Sequence, residues 1–150
     1  MMPFHSLLPE IAQREVRCVH VGPSSTPTQT LPADEYCYLE FYCEDLGCDC
    51  RRVFLQVVAK SEPGKTLASI NYGWESEAFY RKRMPWDPKA PGEIVRGSLD
   101  PINSQSKYSA EFLALFQRVV LDESYRLRLR EHYRLFRSTL AARGRHAGGG

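Results

Sequence analysis

At 150 residues, 43% of them hydrophobic and 25% charged, with a formal net charge of +2, the chain has the make-up of one globular domain. A domain of that length buries roughly 70% of the surface its unfolded chain exposes, so no covalent staple is required. No stretch approaches the ~18 to 20 consecutive apolar residues that span a bilayer, and no membrane partner is expected.

In chain order, residues 6–13 read as a short helix in which Pro9 is tolerated only in the first turn. Residues 14–21 alternate weakly and end at Gly22, as a strand would. The Ser-, Thr- and Pro-rich run at 22–34 reads as an extended loop inside the domain. EYCYLEFYC (35–43) and RRVFLQVVA (51–59) read as strands joined through CEDLGCDC, with Gly47 able to take positive φ in the turn. If Cys43 faces Cys48 across a four-residue loop, Glu40 faces Arg51 and Tyr38 faces Val53, both favourable cross-strand pairs. SEPGK (61–65) is a second turn, and TLASINYGW (66–74) a third strand. ESEAFYRKRM (75–84) follows as a short helix and PWDPKAPGE (85–93) as a surface loop.

The last third is helical. Ser106 or Ser109 can cap a helix to about Leu121, with Phe112, Leu113, Phe116, Val119 and Val120 on one stripe. Asp122 can cap a second helix over 123–142, whose apolar face carries Tyr125, Leu129, His132, Tyr133, Phe136 and Leu140. The expected class is α+β: a small antiparallel sheet, a meander of three or more strands, packed against C-terminal helices. One domain spans 1–143, and 144–150 forms a disordered tail.

The cysteines carry the most chemical information. There are five, Cys18, Cys37, Cys43, Cys48 and Cys50, and the opening run MMPFHSLLPEIAQREV has neither a basic nor an apolar leader pattern. The odd count and that opening predict thiols in a reducing, cytoplasmic setting rather than a disulfide framework. Cys43-x4-Cys48-x-Cys50 would place three thiols on one side of a hairpin tip, which suits the tetrahedral sulfur coordination of zinc. Cys37, six residues before Cys43, reads as a small core residue. A fourth ligand must come from elsewhere, from His132, His20, Cys18, Asp45 or Asp49. His132 is the preferred choice, because its helical position faces the sheet. The expected metal set is therefore Cys43, Cys48, Cys50 and His132, with zinc as cofactor. Free buried thiols and thiol redox chemistry are the alternatives.

Two further features stand out. From 118 to 146 there are eight arginines against three acids, a local balance of +5 that leaves about −3 for the rest. Arg126, Arg130, Arg134 and Arg137 fall on one helical stripe, the pattern of an anion- or nucleic-acid-binding face, although a solvated helix side has the same pattern. Asn71, Tyr72, Trp74 and Glu75 cluster at a strand end and are candidates for a small ligand pocket.

The segment from about Leu31 to Arg137 resembles a group of small uncharacterised bacterial proteins. The motifs that carry the likeness are Y-C-x4-C-D-C-R-R (Tyr42 to Arg52), I-N-Y-G-W-E (Ile70 to Glu75), D-P-x-N-x-Q-S (Asp100 to Ser106) and H-Y-x-L-F (His132 to Phe136). The resemblance implies no activity, but it places Cys43, Cys48, Cys50 and His132 within shared motifs. The expected function is a zinc-stabilised binding protein whose partner is unknown. A nucleic-acid or anion-binding module using the arginine stripe, and a metal- or thiol-dependent enzyme, are the alternatives. No general base neighbours the cluster in sequence, so the reading leans away from an enzyme.

Overall fold

The computed structural model describes residues 1–23 and 30–149. Residues 24–29 of the loop expected at 22–34 thus lie outside the described residues, as does Gly150. In chain order the elements are β1 (Met2–Pro3), α1 (Phe4–Leu7), α2 (Pro9–Glu15), β2 (Arg17–Val21), β3 (Asp34–Tyr42), β4 (Arg52–Ala59) and β5 (Glu62–Gly73). They continue with α3 (Glu77–Arg83), α4 (Ala90–Arg96), β6 (Ser98–Leu99), α5 (Ser109–Leu115), a π-helical turn (Phe116–Val120) and α6 (Glu123–Ala147).

The strands form one antiparallel sheet in the order β1-β3-β4-β5-β6, with β2 also paired to β3. Alternation along β3 sends Tyr36, Tyr38, Glu40 and Tyr42 to one face, and all four are buried. Val53, Leu55 and Val57 of β4 join them, as do Ala68, Ile70 and Tyr72 of β5. Onto this face pack Phe112 of α5, Phe116 of the π turn, and Tyr125, Leu129, Tyr133 and Phe136 of α6. The interlayer contacts are largely aromatic: Tyr36 meets Phe112 edge-on at 4.8 Å, and Trp74 meets Tyr133 at 5.1 Å. Each such ring contributes on the order of 2 kcal/mol by leaving water. The α+β class is as expected.

Local chemistry fixes the helix ends. The residue before a proline avoids helical geometry, and Leu8 (φ −131°, ψ 61°) accordingly splits the expected first helix into α1 and α2, with Pro9 opening the second. Asp122 caps α6 as anticipated, its Oδ1 accepting from the Tyr125 amide at 2.7 Å. Ser76 caps α3 in the same way. The loop expected at 85–93 instead turns helical at Ala90, with Pro91 in the first turn of α4. That helix ends at Gly97, whose positive φ of 86° and close approach to the Phe116 ring require glycine. The π turn inserts a residue into one helical turn and so rotates the side chains after it. Val120 is buried but Val119 is exposed, although both belong to the expected stripe. The tail expected at 144–150 is helical through Ala147.

The β3–β4 register differs from expectation by four residues. Glu40 pairs with Leu55 and Tyr38 with Val57. The strands stop at Tyr42 and Arg52, so residues 43–51 form a longer irregular connection rather than a tight turn. A shift of four is even and keeps every side chain on its face, so face alternation alone does not separate the two registers.

Candidate metal centre

The 43–51 connection gathers three thiols. The sulfurs of Cys43, Cys48 and Cys50 all lie within 4.8 Å of one another, and each residue is half-buried. The loop reaches this shape through specific bonds. Asp45 Oδ1 accepts from the Gly47 amide at 2.9 Å, and the Cys48 amide donates to the Asp45 carbonyl at 3.0 Å. This side-chain turn does what positive φ at Gly47 was expected to do. The left-handed residue is instead Arg51, at φ 47°.

Two anchors hold the loop from outside. Arg137 of α6 donates through Nη1 to the Cys48 carbonyl at 2.7 Å and to the Asp45 carbonyl at 3.3 Å, and through Nη2 to the Leu46 carbonyl at 2.7 Å. At the exit, the Tyr80 hydroxyl donates to the Arg51 carbonyl at 2.6 Å and accepts from the Glu75 amide at 3.2 Å. Tyr80 reaches that position because Gly73 has no side chain; a Cβ there would sit on the Tyr80 hydroxyl. The Arg51 side chain is held by Asp49 at 2.8 Å and by Glu75 at 3.4 Å.

Burial, reinforced by the neighbouring Cys50 and Cys43, pushes the Cys48 thiol up to about 11. Three converging thiols cannot readily ionise together without a cation between them. A divalent ion supplies that charge and displaces the protons.

His132 does not complete the set. Its Nδ1 hydrogen-bonds Glu40 Oε1 at 2.7 Å and its Nε2 hydrogen-bonds Glu15 Oε2 at 2.6 Å, while its ring stacks on Phe4 at 4.4 Å. Both nitrogens are engaged, so neither is free for a metal. The residue is 1% exposed and Glu40 is 6% exposed. Burial alone opposes a charged imidazole, but the hydrogen bonds and charges of Glu40 and Glu15 outweigh it and raise the His132 pKa. The Tyr42 hydroxyl donates to the same Glu40 oxygen at 2.6 Å. The sequence pattern sets Glu40 opposite Arg51; in the observed register it lies opposite Leu55, on the same core face, where His132 neutralises it.

Cys18 and Cys37 are also elsewhere. They face each other across β2 and β3 and form a disulfide with a Cα–Cα separation of 4.0 Å. Cys37 is buried as expected, but as half of a cross-link. An odd count fits one pair plus three thiols as well as five thiols, so it carries no argument for a reducing compartment. Among the described residues, no helix is long and apolar enough to cross a membrane.

The other expected sites disperse. Tyr72 points into the core, whereas Asn71 lies on the opposite face and donates to Asp100 at 2.8 Å. Trp74 is buried against Tyr133. These four residues do not line one pocket. Trp74 and Glu75 instead share a cleft of about 710 Å³ with Arg130, Arg134 and Arg137. Of the arginine stripe, Arg126 is bound to Glu123 and to the Trp74 carbonyl, Arg134 to Glu131, and Arg137 to the cysteine loop. Arg130 is the member whose side chain has no hydrogen bond or ion pair among the described residues. No protein-family model, curated protein or solved structure matches the chain.

Proposed function

We propose that the chain is a zinc-binding protein in which Cys43, Cys48 and Cys50 hold one ion, and that it acts by binding a partner or ligand rather than by turnover. The mutual approach of the three sulfurs to within 4.8 Å carries this reading. Zinc–sulfur bonds of about 2.3 Å in a tetrahedron set sulfurs roughly 3.8 Å apart, a spacing that sulfurs gathered this closely can meet with little rearrangement. Thiolate-rich donor sets favour zinc over the oxygen-seeking divalent ions. Arg137 and Tyr80 fix the loop from outside, so the ordering cost of binding falls on few residues.

The test is metal content of protein purified without chelator, with free thiols counted before and after metal release. About one zinc per chain, with three thiols that react only on release, is the expected result. Protein without metal, in which the three thiols react at once, overturns the reading.

The anion-binding alternative has less support. Three of its four arginines, Arg126, Arg134 and Arg137, are committed to contacts within the chain, and Glu75 and Glu131 share the cleft with Arg130, Arg134 and Arg137.

A further inference from the structure

Three thiols leave a tetrahedral ion one ligand short. Among the described residues, no histidine nitrogen or carboxylate oxygen joins the group of mutually close ligand atoms. The neighbouring space is shaped. Cys48 and Cys50 border a cavity of about 430 Å³ whose walls include Arg52, Arg83, Met84 and Trp86.

One of these walls, Arg52, points to an anion. Arg83 is occupied: it pairs with Asp49 at 3.4 Å and lies over the Phe79 ring at 3.4 Å. Arg52 is half-buried at the start of β4, and its guanidinium has no hydrogen bond or ion pair among the described residues. A partly desolvated guanidinium with no partner is unfavourable, and a ligand carboxylate that pairs with it gains a charge-assisted, two-pronged bond. The other walls are two thiols, the Met84 thioether, the indole of Trp86, which is 77% exposed, Tyr80, whose hydroxyl donates to the Arg51 carbonyl, and Asp49, whose carboxylate is already paired with Arg51 and Arg83.

We infer that the ion held by Cys43, Cys48 and Cys50 takes its fourth ligand from this cavity, from a small thiol that also carries a carboxylate, with its sulfur on the metal and its carboxylate on Arg52. This inference rests on the metal reading of the cluster. On binding, the ligand S–H bond breaks, its proton goes to solvent, and a metal–sulfur bond replaces a metal–water bond. No electron is transferred. The added negative charge is offset by Arg52, which makes the carboxylate the discriminating group.

Cobalt(II) in place of zinc makes the site visible. The full chain loaded with cobalt is titrated with 3-mercaptopropionate, 2-mercaptoethanol and propionate while the thiolate charge-transfer and ligand-field bands are followed. The expected result is a saturable change with 3-mercaptopropionate at about tenfold lower concentration than with 2-mercaptoethanol, and no change with propionate. Arg52→Gln brings the two thiols to similar half-saturation while the bands of the cobalt protein alone persist. Equal potency of the two thiols on the native protein, or bands that 3-mercaptopropionate leaves unmoved, overturns the inference and leaves the metal site standing. Absence of charge-transfer bands on cobalt addition overturns the metal reading itself, and the inference with it.

Discussion

Arg137 of α6 donates to the main-chain carbonyl of Cys48 at 2.7 Å, and the same guanidinium reaches the carbonyls of Leu46 and Asp45. The last helix and the cysteine loop are therefore joined without any metal between them. The sequence pattern predicts that join at His132, five residues earlier on α6, with zinc as the link. The planar fork of an arginine suits several carbonyls converging from one loop, which the point charge of a lysine does not.

Arg137→Ala should weaken zinc binding by about tenfold or more, because the loop must then order itself as it binds. Competition against a chromophoric chelator measures this. Arg137→Lys should recover only part of the loss. Equal affinity of all three proteins would mean that the thiols position themselves.

His132→Ala should leave zinc stoichiometry unchanged, since neither ring nitrogen is available to a metal. It should nevertheless destabilise the fold by about 3 kcal/mol or more, because Glu40 is left buried beside the Tyr42 hydroxyl without its cationic partner. Urea unfolding and metal content on the same preparation read both effects. Loss of zinc with unchanged stability would restore His132 to the ligand set.

The same network predicts a pH dependence. The raised His132 pKa contributes stability that is complete below the ordinary imidazole range and fades as pH rises through the raised value. Glu15, held below the ordinary carboxylate range chiefly by its hydrogen bond to His132, contributes stability that is lost as pH falls through its lowered value. Amides of α1 and α2, which carry Phe4 and Glu15, should therefore be best protected from hydrogen exchange between those two limits. Their protection should decline toward alkaline pH as His132 loses its proton, and toward acid pH as Glu15 gains one. Protection that is flat from acid to alkaline pH in the native chain would contradict this.

Replacing both Cys18 and Cys37 by serine removes a cross-link closing about 20 residues and should cost about 3 kcal/mol. It should leave one zinc per chain and the same three thiols masked by it. Thermal unfolding and thiol titration report the two results separately. Loss of metal from this variant would tie the disulfide to the site.

Much of this was legible in the sequence, and the misses share a cause. The core face of β3 reads directly from Tyr36, Tyr38, Glu40 and Tyr42, and the Asp122 cap reads from its place before a periodic run. That face also held an unused signal. A carboxylate among three tyrosines requires a buried partner, and His132, on the apolar stripe of α6, is the matching group. Its second partner, Glu15, lies 117 residues away and only the fold brings them together. The Cys18–Cys37 cross-link likewise depends on β2 pairing with β3 in one register, across a loop that carries no register information. The three-thiol cluster was visible because its members lie within eight residues of one another, where spacing alone constrains geometry. The cavity beside Arg52 has no such local signal, because Met84 and Trp86 border it from a loop distant in sequence.

X-ray absorption at the zinc edge of the zinc-loaded chain tests the central claim most directly. Three sulfur scatterers at about 2.3 Å are expected, falling to two in Cys48→Ser. A first shell made up only of nitrogen and oxygen at about 2.0 to 2.1 Å would contradict the assignment of the metal to Cys43, Cys48 and Cys50.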